Sequence, residues 1–329
     1  MAWERSPRSL APGLAWTSSV ALAAWLLAQV VPLLGAPVLA ILVGLGVAVT
    51  RRPPASAAAG IAFSSSVLLQ LAIVLLGSGL GLGQLVRVGG RSLPVMLGTL
   101  AAALAGAVVL GRLLAVSPRL RTLIGVGTGI CGASAIVAVS GIVEATETEI
   151  AYAISTIFVF NLVAILLFPA LGRLFHLSQH GFGLWAGTAI NDTSSVVAAA
   201  YAFGHAAGSQ AVVVKLTRTT LIVPIALGLS ALQRSRGSAR RTRPLLPRFL
   251  VLFVLASALA TTGLIPSSAH RPLSDAALAL ITAALAGVGL STDLGRMRAT
   301  GIRALLLGAI LWMTVASVSL LLQTLTGQL

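Results

Sequence analysis

Acidic side chains are nearly absent from this chain. Its 329 residues hold seven Asp and Glu against twenty-two Lys and Arg, and charged residues of both signs make up only 9%. Soluble domains carry about 25% charged residues, so a soluble globular protein is excluded. A single cysteine excludes an internal disulfide. No His/Cys group has metal-ligand spacing, and no Gly-x-x-x-x-Gly-Lys-Ser/Thr loop exists to cradle a nucleotide phosphate, so ATP-driven transport by this chain alone has no support. Lysine is reduced to one residue, Lys215; the other basic residues are arginine.

Apolar sequence fills the space these residues leave. Hydrophobic residues make up 57% and the mean hydropathy is +1.01. Apolar runs of about 20 residues, the length that spans a bilayer, recur throughout. The expectation is an all-α polytopic membrane protein, residues 1–329 forming one integral membrane domain. About eleven transmembrane segments are predicted, over 14–34, 37–50, 57–82, 93–115, 122–142, 149–172, 183–203, 209–232, 248–266, 273–292 and 303–325. The net charge of +15 belongs to lipid headgroups and topology rather than to nucleic acid. The first run is too long for a signal-peptide core and reads as a retained helix.

Arginine placement sets the expected orientation. The loop 233–248 holds Arg234, Arg236, Arg240, Arg241, Arg243 and Arg248 and is placed in the cytoplasm, with the short N-terminus 1–13 carrying Arg5 and Arg8. The cytoplasmic side then also receives Arg51, Arg52, Arg119, Arg121, Arg173, Arg296, Arg298 and Arg303. The acidic loop 144–149 falls outside, and Arg87 and Arg91 are the exceptions. A bacterial inner membrane is the expected location. Gly77-Ser-Gly-Leu with Leu97-Gly98 recurs as Gly287-Val-Gly-Leu with Leu307-Gly308, which predicts inverted repeats.

Two segments break the apolar pattern. Residues 187–198 read GTAINDTSSVVA, and residues 127–138 read GTGICGASAIVA, so the two align without gaps. Each is predicted either to span as a discontinuous helix or to re-enter as a hairpin, and the orientation above slightly favours broken helices. Unwound backbone at membrane depth is tolerated only when buried or facing a cavity. Its freed N–H groups attract anions and its freed carbonyls attract cations.

Asp192 is the central residue of the second segment. A charge at bilayer depth costs at least ~2.5 kcal/mol, which a partner charge, ion or substrate must offset. Asn191, Asp192 and Thr193 offer oxygens for Na⁺ or a proton. Thr128, Gly129, Cys131, Gly132 and Ser134 in the first segment, with Thr188, Asn191, Thr193 and Ser194 in the second, are the candidate substrate contacts. Cys131 reads as a small packing residue. Lys215 and Arg218 share a helix face inside the eighth segment. They read as an anion-binding or gating pair, or as a salt bridge to Asp192. Asn161 reads as a helix–helix hydrogen bond and Trp185 as an interfacial anchor. Glu144, Glu147 and Glu149 read as a solvated loop.

GTGICGASA at 127–135, WAGTAINDTSSV at 185–196, VKLTR at 214–218 and GLSTDL at 289–294 together resemble the YeiH-type family of bacterial inner-membrane proteins, often labelled sulfate exporters. The resemblance covers residues from about 35 to the C-terminus. It implies a secondary-transporter fold, distantly similar to bile-acid/sodium symporters and cation/proton antiporters. The Asn191-Asp192 pair also resembles the Asn-Asp pair of electroneutral antiporters, which implies an ion role for Asp192. The expected function is secondary transport of a small anion such as a sulfur oxyanion, coupled to H⁺ or Na⁺ through Asp192. A Na⁺/H⁺ antiporter is the alternative. No enzyme activity and no resident cofactor are expected. The partners are the anion and membrane lipids, with a homodimer as a further candidate.

Overall fold

The computed structural model describes residues 7–30, 35–234, 247–292 and 301–329. Arg5, Arg236, Arg240, Arg241, Arg243, Asp293, Arg296 and Arg298 lie outside them. The described residues are overwhelmingly helical and contain no strand. In chain order the helices are α1 (Pro7–Val30), α2 (Gly35–Thr50), α3 (Ala58–Phe63), α4 (Leu69–Gly77), α5 (Leu82–Leu113), α6 (Pro118–Gly129), α7 (Ala133–Ser140), α8 (Glu147–Leu174), α9 (Gln179–Ala189), α10 (Thr193–Phe203), α11 (His205–Thr220), α12 (Ile222–Arg234), α13 (Arg248–Thr261), α14 (Ser267–Leu290) and α15 (Ile302–Thr326). Among the described residues, seven of the eleven expected segments are helices long and apolar enough to cross a bilayer. Two more are the shorter apolar helices Gly35–Thr50 and Arg248–Thr261. The remaining two are the polar segments, each interrupted near its centre.

The chain divides into two compact units. The first comprises residues 1–86 and 247–294. Its helices approach closely at small residues, as bilayer-embedded helices do. A Cβ on Gly13 would collide with the backbone of Gly60, and one on Gly44 would lie 3.2 Å from Gly289 Cα. Between α3 and α4 the helix widens into a π turn at Ser64–Leu68, held to α1 by a 2.9 Å bond between the Ser64 and Thr17 hydroxyls.

The second unit comprises residues 87–246 and 295–329 and holds both polar segments. Neither segment passes from one end of this unit to the other; both double back. Ser117 caps α6, its Oγ accepting from Leu120 N at 3.2 Å, with Pro118 at the first helical position. Thr146 and Glu149 form a capping box at the start of α8. The Ser117 hydroxyl donates to Glu149 Oε1 at 2.6 Å. The chain therefore leaves and returns to one place across α6 and α7. Helix α8, 28 residues and about 42 Å long at 1.5 Å per residue, then carries it to the far end. There Gln179 Oε1, at the start of α9, accepts from Ala207 N at 3.0 Å, just beyond the end of α10. The Phe182 and Phe203 rings stack with centroids 3.9 Å apart, joining the same two helix ends.

These contacts correct the broken-helix preference: both segments are hairpins, entering from opposite ends of α8. Residues 117–121 and 144–149 consequently share a side, and Arg173 lies on the other. Counting arginines barely separated the two geometries because a hairpin and a span of equal length consume the same sequence. Arg173 is accounted for locally. Its Nη2 donates to Ala202 O at 2.9 Å and its guanidinium sits 5.7 Å from the Phe203 ring centroid. Glu149, expected in a solvated loop, instead ties two helix starts together. Trp185, expected as an interfacial anchor, is buried in the core. Its Nε1 donates to Ala316 O at 3.0 Å, and its ring stacks on Phe168 at 4.1 Å.

Candidate functional site

The helix boundaries around the two polar turns fall at matching positions of the internal alignment. Helix α6 ends at Gly129 and α9 at Ala189; α7 starts at Ala133 and α10 at Thr193. The turns Ile130-Cys131-Gly132 and Ile190-Asn191-Asp192 thus occupy matching positions sixty residues apart. Gly132 has φ +68° and ψ −132°, a conformation only glycine adopts without strain. It also lets the tips meet, since a Cβ on Gly132 would lie 3.4 Å from Asp192 Cα and Cβ.

Helix α11 brings in the positive charge. Gly183 and Gly187 form a smooth stripe on α9, where any Cβ would overlap Gln210 or Val214. The two helices pack closely along that stripe and run in the same direction, so Lys215 and Arg218 arrive level with the end of α9. Both side chains are fully buried. Lys215 Nζ donates to Ile130 O and to Ile190 O, each at 2.9 Å. Arg218 donates through Nε to Gly129 O at 2.7 Å, through Nη2 to Thr128 O at 3.1 Å, and through Nη1 to Thr188 O. The last turn of a helix leaves carbonyls unpaired and carries about half a negative charge. Lys215 and Arg218 satisfy that need at both tips at once. The expected salt bridge from Lys215 to Asp192 is not made: the ammonium bonds to carbonyls instead.

Asp192 is the N-cap residue of α10 and half-buried. Its Oδ2 accepts from the Ser194 hydroxyl. Asn161 on α8 supports the turn, its Oδ1 accepting from Asn191 N at 3.2 Å and Asp192 N at 3.3 Å, so its bonds run from helix to turn rather than from helix to helix. Thr188 Oγ1 bonds to Leu184 O at 2.7 Å and to the Ser319 hydroxyl at 2.7 Å, and Gln323 Nε2 donates to Ser319 Oγ at 3.1 Å.

The candidate residues therefore separate into groups. Thr128, Gly129, Thr188, Lys215 and Arg218 form one hydrogen-bonded cluster, with Asn191 and Cys131 buried in the adjoining turns. Gly132 and Asp192 make the contact between tips, flanked by half-buried Thr193 and buried Ser194. Ser134 lies apart from that interior, on an exposed face of α7. Ser319 and Gln323 were missed by sequence reasoning. Their signal was weak: two polar side chains four residues apart, on one face of a helix that also carries Thr314, Ser317, Thr324 and Thr326. No group of three or more His, Cys, Asp or Glu able to hold a metal ion occurs among the described residues.

A chain whose described residues are overwhelmingly helical, with seven bilayer-length apolar helices and a buried polar centre among them, is a multi-pass membrane protein. It belongs to the family described as Conserved hypothetical protein 698, whose profile matches residues 12–308. A UPF0324 membrane protein of Streptococcus pyogenes serotype M3 is 42% identical over 329 aligned residues, covering 96% of this chain and 97% of its own length. UPF0324 membrane proteins of Streptococcus mutans and Streptococcus pneumoniae are 41% and 43% identical, covering 96% and 94% of this chain and 97% and 95% of their own lengths. The family resemblance carried by the four motifs holds.

Proposed function

We propose that this protein is a secondary transporter of a small anion, sulfur oxyanions being one candidate group, with Asp192 as the site of proton coupling. One observation carries the reading: two fully buried cations, Lys215 and Arg218, bond to the carbonyls of both hairpin tips, and the turn Ile190-Asn191-Asp192 at one of those tips carries a single half-buried carboxylate, Asp192. Taking an ion from water into a protein interior costs several kcal/mol, and an unbalanced charge keeps that cost. The tip carbonyls of α6 and α9 offset about one of the two positive charges. Asp192 offsets a further one, but the starts of α7 and α10 add about one positive charge back. The balance is about one positive charge, which an anion at membrane depth would neutralise. Protonation of Asp192 would raise that balance and tighten anion binding, so proton and anion would travel together.

Na⁺ coupling has less support. The tip carbonyls that would ligate a cation already accept from Lys215 and Arg218. A Na⁺/H⁺ antiporter remains the alternative, and Na⁺-driven proton movement without any anion would establish it. An inner-membrane location with a cytoplasmic N-terminus belongs to the same proposal.

Proteoliposomes with an entrapped pH dye test the reading. An inward anion gradient should drive proton uptake in the wild type, and Asp192→Asn should abolish the proton movement while retaining anion binding. Absence of flux for every anion offered, or full proton coupling in Asp192→Asn, would defeat it.

A further inference from the structure

We propose that the anion is a small monoanion carrying its own O–H or N–H donor beside its anionic oxygens, and that Asn191 and Thr128 read that donor. The inference rests on the anion-transporter reading and sharpens it to a chemical class. Examples are hydrogencarbonate, hydrogensulfite and hydroxylated carboxylates.

Three polar atoms at the paired turns lack partners. Asn191 Nδ2, Asn191 Oδ1 and Thr128 Oγ1 are all buried without a hydrogen bond. Asn191 is 1% exposed and Thr128 fully buried. Thr128 belongs to the cationic cluster and Asn191 adjoins it: the carbonyl of Thr128 accepts from Arg218, and the carbonyl of Ile190, immediately before Asn191, accepts from Lys215. An orphaned buried polar group is costly, and in native structures it calls for a specific partner.

Their neighbours are satisfied. Thr188 holds the position matching Thr128, yet its hydroxyl bonds within α9 and to Ser319. Ser194 bonds to Asp192, and the Oδ1 of Asn161 is engaged twice. On the two matched polar segments the open positions are one hydroxyl and one amide; Gln323 Oε1, beyond Ser319 on α15, is open as well. The Asn191 amide is open at both ends, so whichever way it is turned it needs a partner that accepts at one end and donates at the other. Sulfate only accepts: it could satisfy Nδ2 but would leave Oδ1 buried and unpaired. A ligand with one O–H or N–H group satisfies both ends. Sites that hydrogen-bond a ligand hydroxyl discriminate strongly against analogues lacking it, because the site's own polar group is then stranded. A single negative charge also matches a cluster whose balance is about one positive charge.

The test is titration calorimetry on the purified full-length protein in detergent at one fixed pH, with four probes. Acetate and sulfate only accept hydrogen bonds; glycolate and hydrogencarbonate also donate. Glycolate should bind at least tenfold tighter than acetate, and hydrogencarbonate at least tenfold tighter than sulfate. Thr128→Val, close in shape to the native residue, and Asn191→Leu should each move the glycolate-to-acetate ratio toward one. Binding of all four anions without preference for the donors overturns this inference and leaves the anion reading standing. Binding of none overturns both.

Discussion

Ile130 and Ile190, sixty residues apart, offer their carbonyls to the same ammonium group: Lys215 Nζ lies 2.9 Å from each oxygen. One side chain thereby closes two helix ends that belong to different hairpins. Hydrogen bonds to a charged group contribute about 1.5–3 kcal/mol each, against which stands the cost of burying the charge. Lys215→Met keeps the apolar stem and deletes the donor. It should lower stability by roughly 2 kcal/mol, read as a fall in midpoint temperature in detergent. Lys215→Arg should fall less, because it keeps charge and donors.

The hairpin geometry predicts a cross-link that a spanning geometry forbids. Ser117 Oγ and Glu149 Oε1 are 2.6 Å apart. Ser117→Cys/Glu149→Cys, in a Cys131→Ser background, should cross-link with a short thiol-specific reagent. If residues 122–142 crossed the bilayer, the two positions would be separated by a hydrocarbon core of about 30 Å and no cross-link would form.

Gly132 should resist substitution more than glycines of ordinary conformation. At φ +68°, Gly132→Ala forces a side chain into a strained backbone region, with Asp192 only 3.4 Å from the new Cβ. Strain of this kind costs about 1–3 kcal/mol. Gly83→Ala, inside α5 with nothing within 4 Å of its Cβ position, should be neutral or slightly stabilising. Thermal unfolding of the two variants side by side checks the contrast.

Asn161 accepts the amides of both Asn191 and Asp192, so its loss strands two donors in the core. Asn161→Leu fills similar volume without the acceptor. It should destabilise by about 2–3 kcal/mol, since each stranded buried donor costs about 1–3 kcal/mol. Asn161→Asp should recover part of that loss by restoring an acceptor. Unfolding midpoints of the two variants and the wild type give the comparison.

Much of this arrangement was legible before any coordinates. The apolar runs gave the helices, because bilayer thickness dictates their length. The ungapped match between 127–138 and 187–198 located both turns, because small and polar residues recur where each helix is interrupted. Trp185 shows where such reading stops. A tryptophan near the end of an apolar run fits a membrane interface, and only packing against Phe168 and Ala316 places it inside. Arg173 shows the same limit: an arginine at a helix end suits a topology rule, yet here it bonds to the last turn of α10.

The sequence by itself determined that this is a helical membrane protein with two matched polar turns and one lysine buried in apolar sequence. Those facts follow from composition and spacing, which local physics reads directly. Only the tertiary structure decided that both polar segments turn back, and that Lys215 and Arg218 bond to carbonyls rather than to Asp192. The reason is physical. A hydrogen bond from Lys215 to Ile130 spans 85 positions and to Ile190 spans 25, and no local pattern specifies which acceptor a buried cation will meet. That choice is made when α11 packs along the glycine stripe of α9 and its charge reaches the nearest unpaired carbonyls.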